Sequence, residues 1–138
     1  MLEMNQHIII LLGLMLTITS CSSNIQIVKY IDLNSPLTLT IYTTNDQTGL
    51  TQIDKEIIEP KSEKFYKLID WSKANSDHWR STFASYIGNV SVIQKDFRLL
   101  YLQDGVVIGF TDDHGKSKQY RRSITKGDLD FLIIREVE

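Results

Sequence analysis

Few residues in this chain are able to do chemistry. Asp77-His78 and Asp113-His114 each set a carboxylate beside an imidazole, and Cys21 is the single thiol. A histidine held by an acid can serve as general base toward a serine or a water. On an extended chain, adjacent side chains point to opposite sides, so neither pair forms a dyad by itself. Serine hydrolysis also needs a nucleophile on a sharp turn, and no G-x-S-x-G stretch occurs. His78 and His114 could be gathered with Asp77, Asp112 or Asp113 around a metal ion. Their spacing matches no ligand motif, however, and histidines in polar loops are ordinarily solvated. Asp112-Asp113-His114-Gly115-Lys116 opens like a calcium loop, but its twelfth position is Ser123, where that loop needs a glutamate. The stretch reads as a polar hairpin turn. No catalytic residue, metal site or cofactor loop is expected.

Binding chemistry is better represented. Lys116, Lys118, Arg121, Arg122 and Lys126 form a basic cluster. On a strand, Lys118 and Arg122 share one face with Tyr120, while Arg121 points to the other. Such cations beside a tyrosine suit a phosphate, an anionic glycan or an acidic protein surface. They also suit a solvated edge strand whose charges prevent edge-to-edge pairing. Trp71, Trp79, Phe83 and Tyr86 are expected to close one end of a core. Trp79 is the expected exception, left at the surface by the charged Asp77 and Arg80 that flank it. The partner-binding set read from sequence is therefore Trp79, Lys118, Tyr120, Arg121 and Arg122.

Cys21 follows an uncharged apolar run of eleven residues, Ile8 to Ile18. A membrane-crossing helix needs about twenty such residues, so the run is too short to span. It also lacks the polar positions of an amphipathic core helix, and it suits the apolar region of a secretory signal peptide. Ile18-Thr19-Ser20-Cys21 resembles the lipobox of bacterial lipoproteins: an aliphatic residue, two small residues, then cysteine. The resemblance implies that the Cys21 thiol receives a diacylglyceryl group, that residues 1–20 are removed, and that the new amine is acylated. Two or more acyl chains make such anchoring durable. Ser22 after the cysteine resembles the default that sends such proteins to the outer membrane, facing the periplasm. With Cys21 lipidated no thiol remains for a disulfide, so the domain must stand on its core.

The elements that must position these residues follow from periodicity. Residues 21–24 read as a lipidated end and short tether, and 25–138 as one domain. Ile25 to Ile31 is β-branched and half-alternating, which predicts a strand. Leu37 to Thr43 alternates cleanly and Leu50 to Ile58 returns beside it. Phe65, Leu68, Ile69 and Ser72 recur at helical spacing between Ser62 and Ala74. Asn75 to Asn89 has no period and reads as a long loop. Val90–Gln94, Phe97–Gln103, Val106–Thr111 and Ser117–Ile124 form a meander, with Asp104-Gly105 as a hairpin turn whose glycine takes positive φ. Leu129 to Ile134 suits a strand or a short helix. The fold expected is α+β: a mainly antiparallel sheet with one amphipathic helix packed on it. Lys64, Leu68, Ile69, Trp71, Trp79, Tyr86, Gln119 and Tyr120, in that order, resemble small bacterial lipoproteins of this size, for which no activity is established.

The chain's 138 residues suffice for one domain, and a formal net charge of −2 gives no field to attract nucleic acid. A non-enzymatic binding module is expected, anchored to the membrane through Cys21 and meeting a protein partner in the envelope. An immunity or inhibitor protein against an envelope-acting toxin or hydrolase fits that description. An envelope assembly lipoprotein is the alternative, and a small hydrolase using His78 or His114 is the second.

Overall fold

Alternation in Leu37-Thr38-Leu39-Thr40-Ile41-Tyr42 puts three aliphatic side chains on one side of an extended chain, and that side becomes the core face of a sheet. The computed structural model describes residues 21–134; the expected signal, 1–20, and residues 135–138 lie outside them. The strands are β1 (Leu37–Thr44), β2 (Thr51–Ile58), β3 (Arg80–Ser81), β4 (Val90–Gln94), β5 (Phe97–Tyr101), β6 (Gly105–Thr111) and β7 (Ser117–Ser123). They form one sheet in the order β2-β1-β4-β5-β6-β7-β3, with every neighbouring pair antiparallel. One helix, α1 (Glu63–Ala74), completes the α+β architecture expected from the sequence.

Register carries the core across the sheet. Leu39 pairs with Val92, Val92 with Leu99, and Leu99 with Ile108, and all four are sealed from solvent. Helix α1 adds Phe65, Leu68 and Ile69 to the same cluster, with Ser72 buried one turn on. The helix starts where the sequence supplies a cap: Ser62 is extended and its Oγ accepts from the Phe65 N–H at 3.3 Å. Glu63 in the first turn and Lys73 in the last match the helix dipole. β5 is the middle strand of the seven; Phe97, Leu99 and Tyr101 are buried on its core face, whereas on the other face Arg98 is exposed and Leu100 half-buried.

Three local expectations change, and a fourth stretch, open between strand and short helix, takes the helical alternative. Ile25–Ile31 is no strand: Ile27–Tyr30 forms a 3-10 turn. Ile25, Ile27 and Ile31 are all buried, so burial overrides the β-preference of branched side chains. In the β5–β6 hairpin Tyr101 pairs with Val106 and the Leu102 N–H donates to the Gly105 carbonyl, so the two-residue turn is Gln103-Asp104. Gly105 lies outside the positive-φ region and is required for space, since a Cβ there would sit 2.9 Å from the Arg122 carbonyl. The Asn75–Asn89 loop contains β3, whose Arg80 and Ser81 pair with Arg121 and Tyr120. Finally, the 129–134 run forms a 3-10 turn, Asp130–Leu132, that drives Leu129 and Leu132 into the core.

Candidate functional site: an arginine groove beside the N-terminus

Ser23, near the start of the described residues, lies against the β3 edge. The Ser23 N–H donates to the Trp79 carbonyl at 2.7 Å, and the Trp79 N–H returns to the Ser23 carbonyl at 3.2 Å. Trp79 itself is fully buried, with its indole N–H on the Asn75 carbonyl at 2.7 Å. The expectation of a surface tryptophan is thus corrected. The flanking charges turn outward, and the indole fills the space between the end of α1 and the sheet. Phe83 reverses the other way: expected in the core, it is fully exposed, as is Ile87.

A groove of about 780 Å³ opens here between Ser22, His78, Arg80, Tyr86, Arg121 and Arg122. β3 and the end of β7 position its arginines. Arg80 and Arg121 are direct cross-strand partners and so lie on one face. Arg121 reaches both Asp104 carboxylate oxygens at 3.1 Å, and its guanidinium lies 5.5 Å from the centre of the Tyr86 ring. The Tyr86 hydroxyl is fixed by Thr82 Oγ1 at 2.8 Å. Arg122, on the opposite face, donates to Asn75 Oδ1 at the end of α1 and to Asp77 Oδ1 at 3.3 Å. Its Nε is buried without a partner.

The basic cluster does not assemble as one patch. Tyr120 turns inward and stacks on Phe110 with ring centres 5.9 Å apart, and Phe110 in turn stacks on Tyr30 at 3.7 Å. Lys118 lies 3.9 Å from Asp112, and Arg122 is mostly buried as a brace for the helix end. Of the partner-binding set read from sequence, Arg121 and Arg122 reach the groove, whereas Trp79, Lys118 and Tyr120 do not line it; Tyr86, expected in the core, is half-buried in the groove wall. Arg80, Ser22 and Tyr86, which complete it, come from segments far apart in the chain, and a two-residue strand leaves no periodic signal.

The acid–histidine pairs also resolve. His78 has φ 61°, outside extended geometry, and its Nε2 comes within 3.4 Å of Asp77 Oδ2. The chain is not extended at this pair, so the two side chains meet locally. Even so, among the described residues His78 makes no hydrogen bond to a serine hydroxyl. His114 lies in the β6–β7 turn, beyond the opposite end of β7 from the groove, about 20 Å away along the strand. The two histidines therefore do not share a site. In that turn Asp112 Oδ1 accepts from the N–H groups of Lys116 and His114 at 2.8 and 3.0 Å. Those bonds, led by that of Lys116, lower the Asp112 pKa and occupy the oxygen that a calcium loop would offer.

Cys21 is exposed and directly precedes Ser22, which lines the groove. No helix among the described residues is long and apolar enough to cross a membrane. Comparison with known protein families, curated proteins and solved structures finds no match to this chain.

Proposed function

We propose that the protein is a lipoprotein, acylated at Cys21 and held at the outer membrane facing the periplasm, which acts by binding an envelope protein and performs no catalysis. The observation that supports binding is an exposed apolar face at the sheet edge remote from Cys21. Tyr42 pairs with Ile53, and Thr38 pairs with both Ile57 and Ile93. Tyr42, Ile53, Ile57 and Ile93 consequently share one face, with the Thr40–Lys55 row between the Tyr42–Ile53 pair and the other two, and each is substantially exposed. β1 is five positions from β3 in the sheet order, placing this face about 25 Å from the anchored edge. A tethered chain presents such a face to the periplasm at high local concentration. An immunity or inhibitor protein against an envelope toxin or hydrolase uses an apolar face of this kind as its hot spot.

The anchor is tested by intact mass of protein extracted from the envelope: residues 1–20 absent and acyl mass present, with Cys21→Ala left unprocessed. For inhibition, the test is release of cell-wall fragments from cells lacking the protein. Release should rise, return to normal with the wild-type chain, and stay raised with Ile53→Glu/Ile57→Glu. Equal release from all three strains eliminates the inhibitor reading and leaves an envelope assembly role.

A further inference from the structure

We infer that the arginine groove is the membrane-facing surface of the domain, receiving the phosphate of a lipid headgroup while Phe83 and Ile87 enter the interface beside it. The inference rests on acylation of Cys21 as proposed above, and four observations carry it further.

The first is reach. Ser23 is pinned to Trp79 by two backbone hydrogen bonds. Cys21 is two residues away, a span of at most about 7 Å. An acylated Cys21 lies at headgroup depth, so the surface around Ser23 and Trp79 must lie against the bilayer. Ser22, the intervening residue, lines the groove itself.

The second is charge. Arg80 and Arg121 face each other across a strand pair, an arrangement that destabilises a sheet unless an anion joins them. Asp104 engages Arg121, whereas the Arg80 side chain has no hydrogen bond or ion pair among the described residues. Asp77, the other acid nearby, is engaged with Arg122 and His78. Arg80 thus offers a guanidinium fork to the groove, suited to two oxygens of one phosphate.

The third is the buried Arg122 Nε, a donor with no acceptor in the protein. The fourth is the apolar pair. Phe83 and Ile87 are fully exposed on the segment whose Thr82 and Tyr86 line the groove. Fully exposed phenyl and sec-butyl groups beside cations are the composition of an interfacial membrane surface. An apolar partner protein would match Phe83 and Ile87 but leave Arg80 without an anion.

The experiment separates this surface from the anchor. Intact mass of the envelope-extracted chain first records whether Cys21 is acylated. The lipid-free mature chain, residues 21–138 with Cys21→Ser, carries every described strand, the helix and the core. It is floated with vesicles of phosphatidylglycerol and phosphatidylcholine in equal parts, or of phosphatidylcholine alone. Binding is expected to the anionic vesicles, falling about fivefold in Arg80→Glu. Phe83→Ser should weaken that binding as well. Both side chains are exposed, so neither change disturbs packing. Equal flotation of wild type and variants, or none, overturns the inference even if the mass shows acylation. Flotation with no acyl mass leaves the surface standing and overturns the anchor. Saturable binding of inorganic phosphate, followed by NMR of the arginine side chains, without vesicle binding would assign the groove to free phosphate and overturn the membrane face.

Discussion

Ser23 and Trp79 exchange both backbone hydrogen bonds, so the chain is locked to the fold two residues after Cys21. The indole supports that lock from below, being fully buried and bonded to Asn75 at the end of α1. Trp79→Phe should cost about 1–2 kcal/mol, because it strands the Asn75 carbonyl and removes part of a buried ring. Trp79→Ala should cost about 3–5 kcal/mol. Urea unfolding measures both, and a Trp79→Ala midpoint equal to wild type would show that the indole is not a core residue.

Lys64 is buried on α1, yet its ammonium reaches both Glu56 oxygens at 2.8 and 2.9 Å. It also lies 3.4 Å from the Leu132 carbonyl, tying the helix to β2 and to the C-terminal turn. Removing the carboxylate leaves a buried cation without a counter-charge, whereas an unbranched apolar chain fills the same space. Glu56 is partly exposed, which allows water to compensate in part. Glu56→Ala should therefore destabilise by about 1–3 kcal/mol, and Lys64→Met by less than about 1 kcal/mol. A double-mutant cycle that finds the two single changes equally costly would reject this asymmetry.

Legibility tracked how local each determinant is. Leu37–Tyr42 names its own core face, and Ser62 with Phe65, Leu68 and Ile69 names the helix, because period and cap are written in adjacent residues. Ile25–Ile31, by contrast, reads as a strand on branched side chains, but its conformation depends on what the sheet leaves uncovered. Trp79 and Phe83 exchanged places because exposure is decided by the path of the chain after α1, which no spacing encodes. The groove joins residues near 22, 80 and 121, and β3, which brings them together, has only two residues.

Glu59-Pro60-Lys61-Ser62 forms the turn into α1, closed by the Ser62 N–H on the Glu59 carbonyl at 3.2 Å. Proline sits second, and Lys61 third with φ 69°, the pattern of a type II turn that favours glycine at that third position. Lysine strains its Cβ there. Lys61→Gly should raise stability by roughly 0.5–1 kcal/mol, less the larger entropy of the unfolded chain. Thermal unfolding of Lys61→Gly beside Lys61→Ala gives the test: the alanine should not stabilise, and equal gains would exclude relief of strain.

Asp32 anchors the loop that leads into β1, and its carboxyl pKa is lowered from 3.8 to about 2. The Ser35 hydroxyl, at 2.7 Å, is the largest cause, followed by the Asn34 N–H and the Lys95 ammonium. Gln94 clamps the same loop from β4, accepting from the Asp32 N–H at 2.7 Å and donating to the Asp32 and Ser35 carbonyls at 2.9 and 2.7 Å. Above 3.8 the carboxylate is charged in both folded and unfolded chains, and its contribution is complete. As pH falls from 3.8 toward about 2, the unfolded chain takes up a proton that the folded chain refuses, so stability drains away across that window. Asp32→Asn removes the titrating group. The gap in urea midpoint between wild type and Asp32→Asn should therefore narrow through the same window, and the Asp32 carboxyl resonance should titrate near its lower end. A gap that stays constant with pH would mean that the loop is held by Gln94 alone.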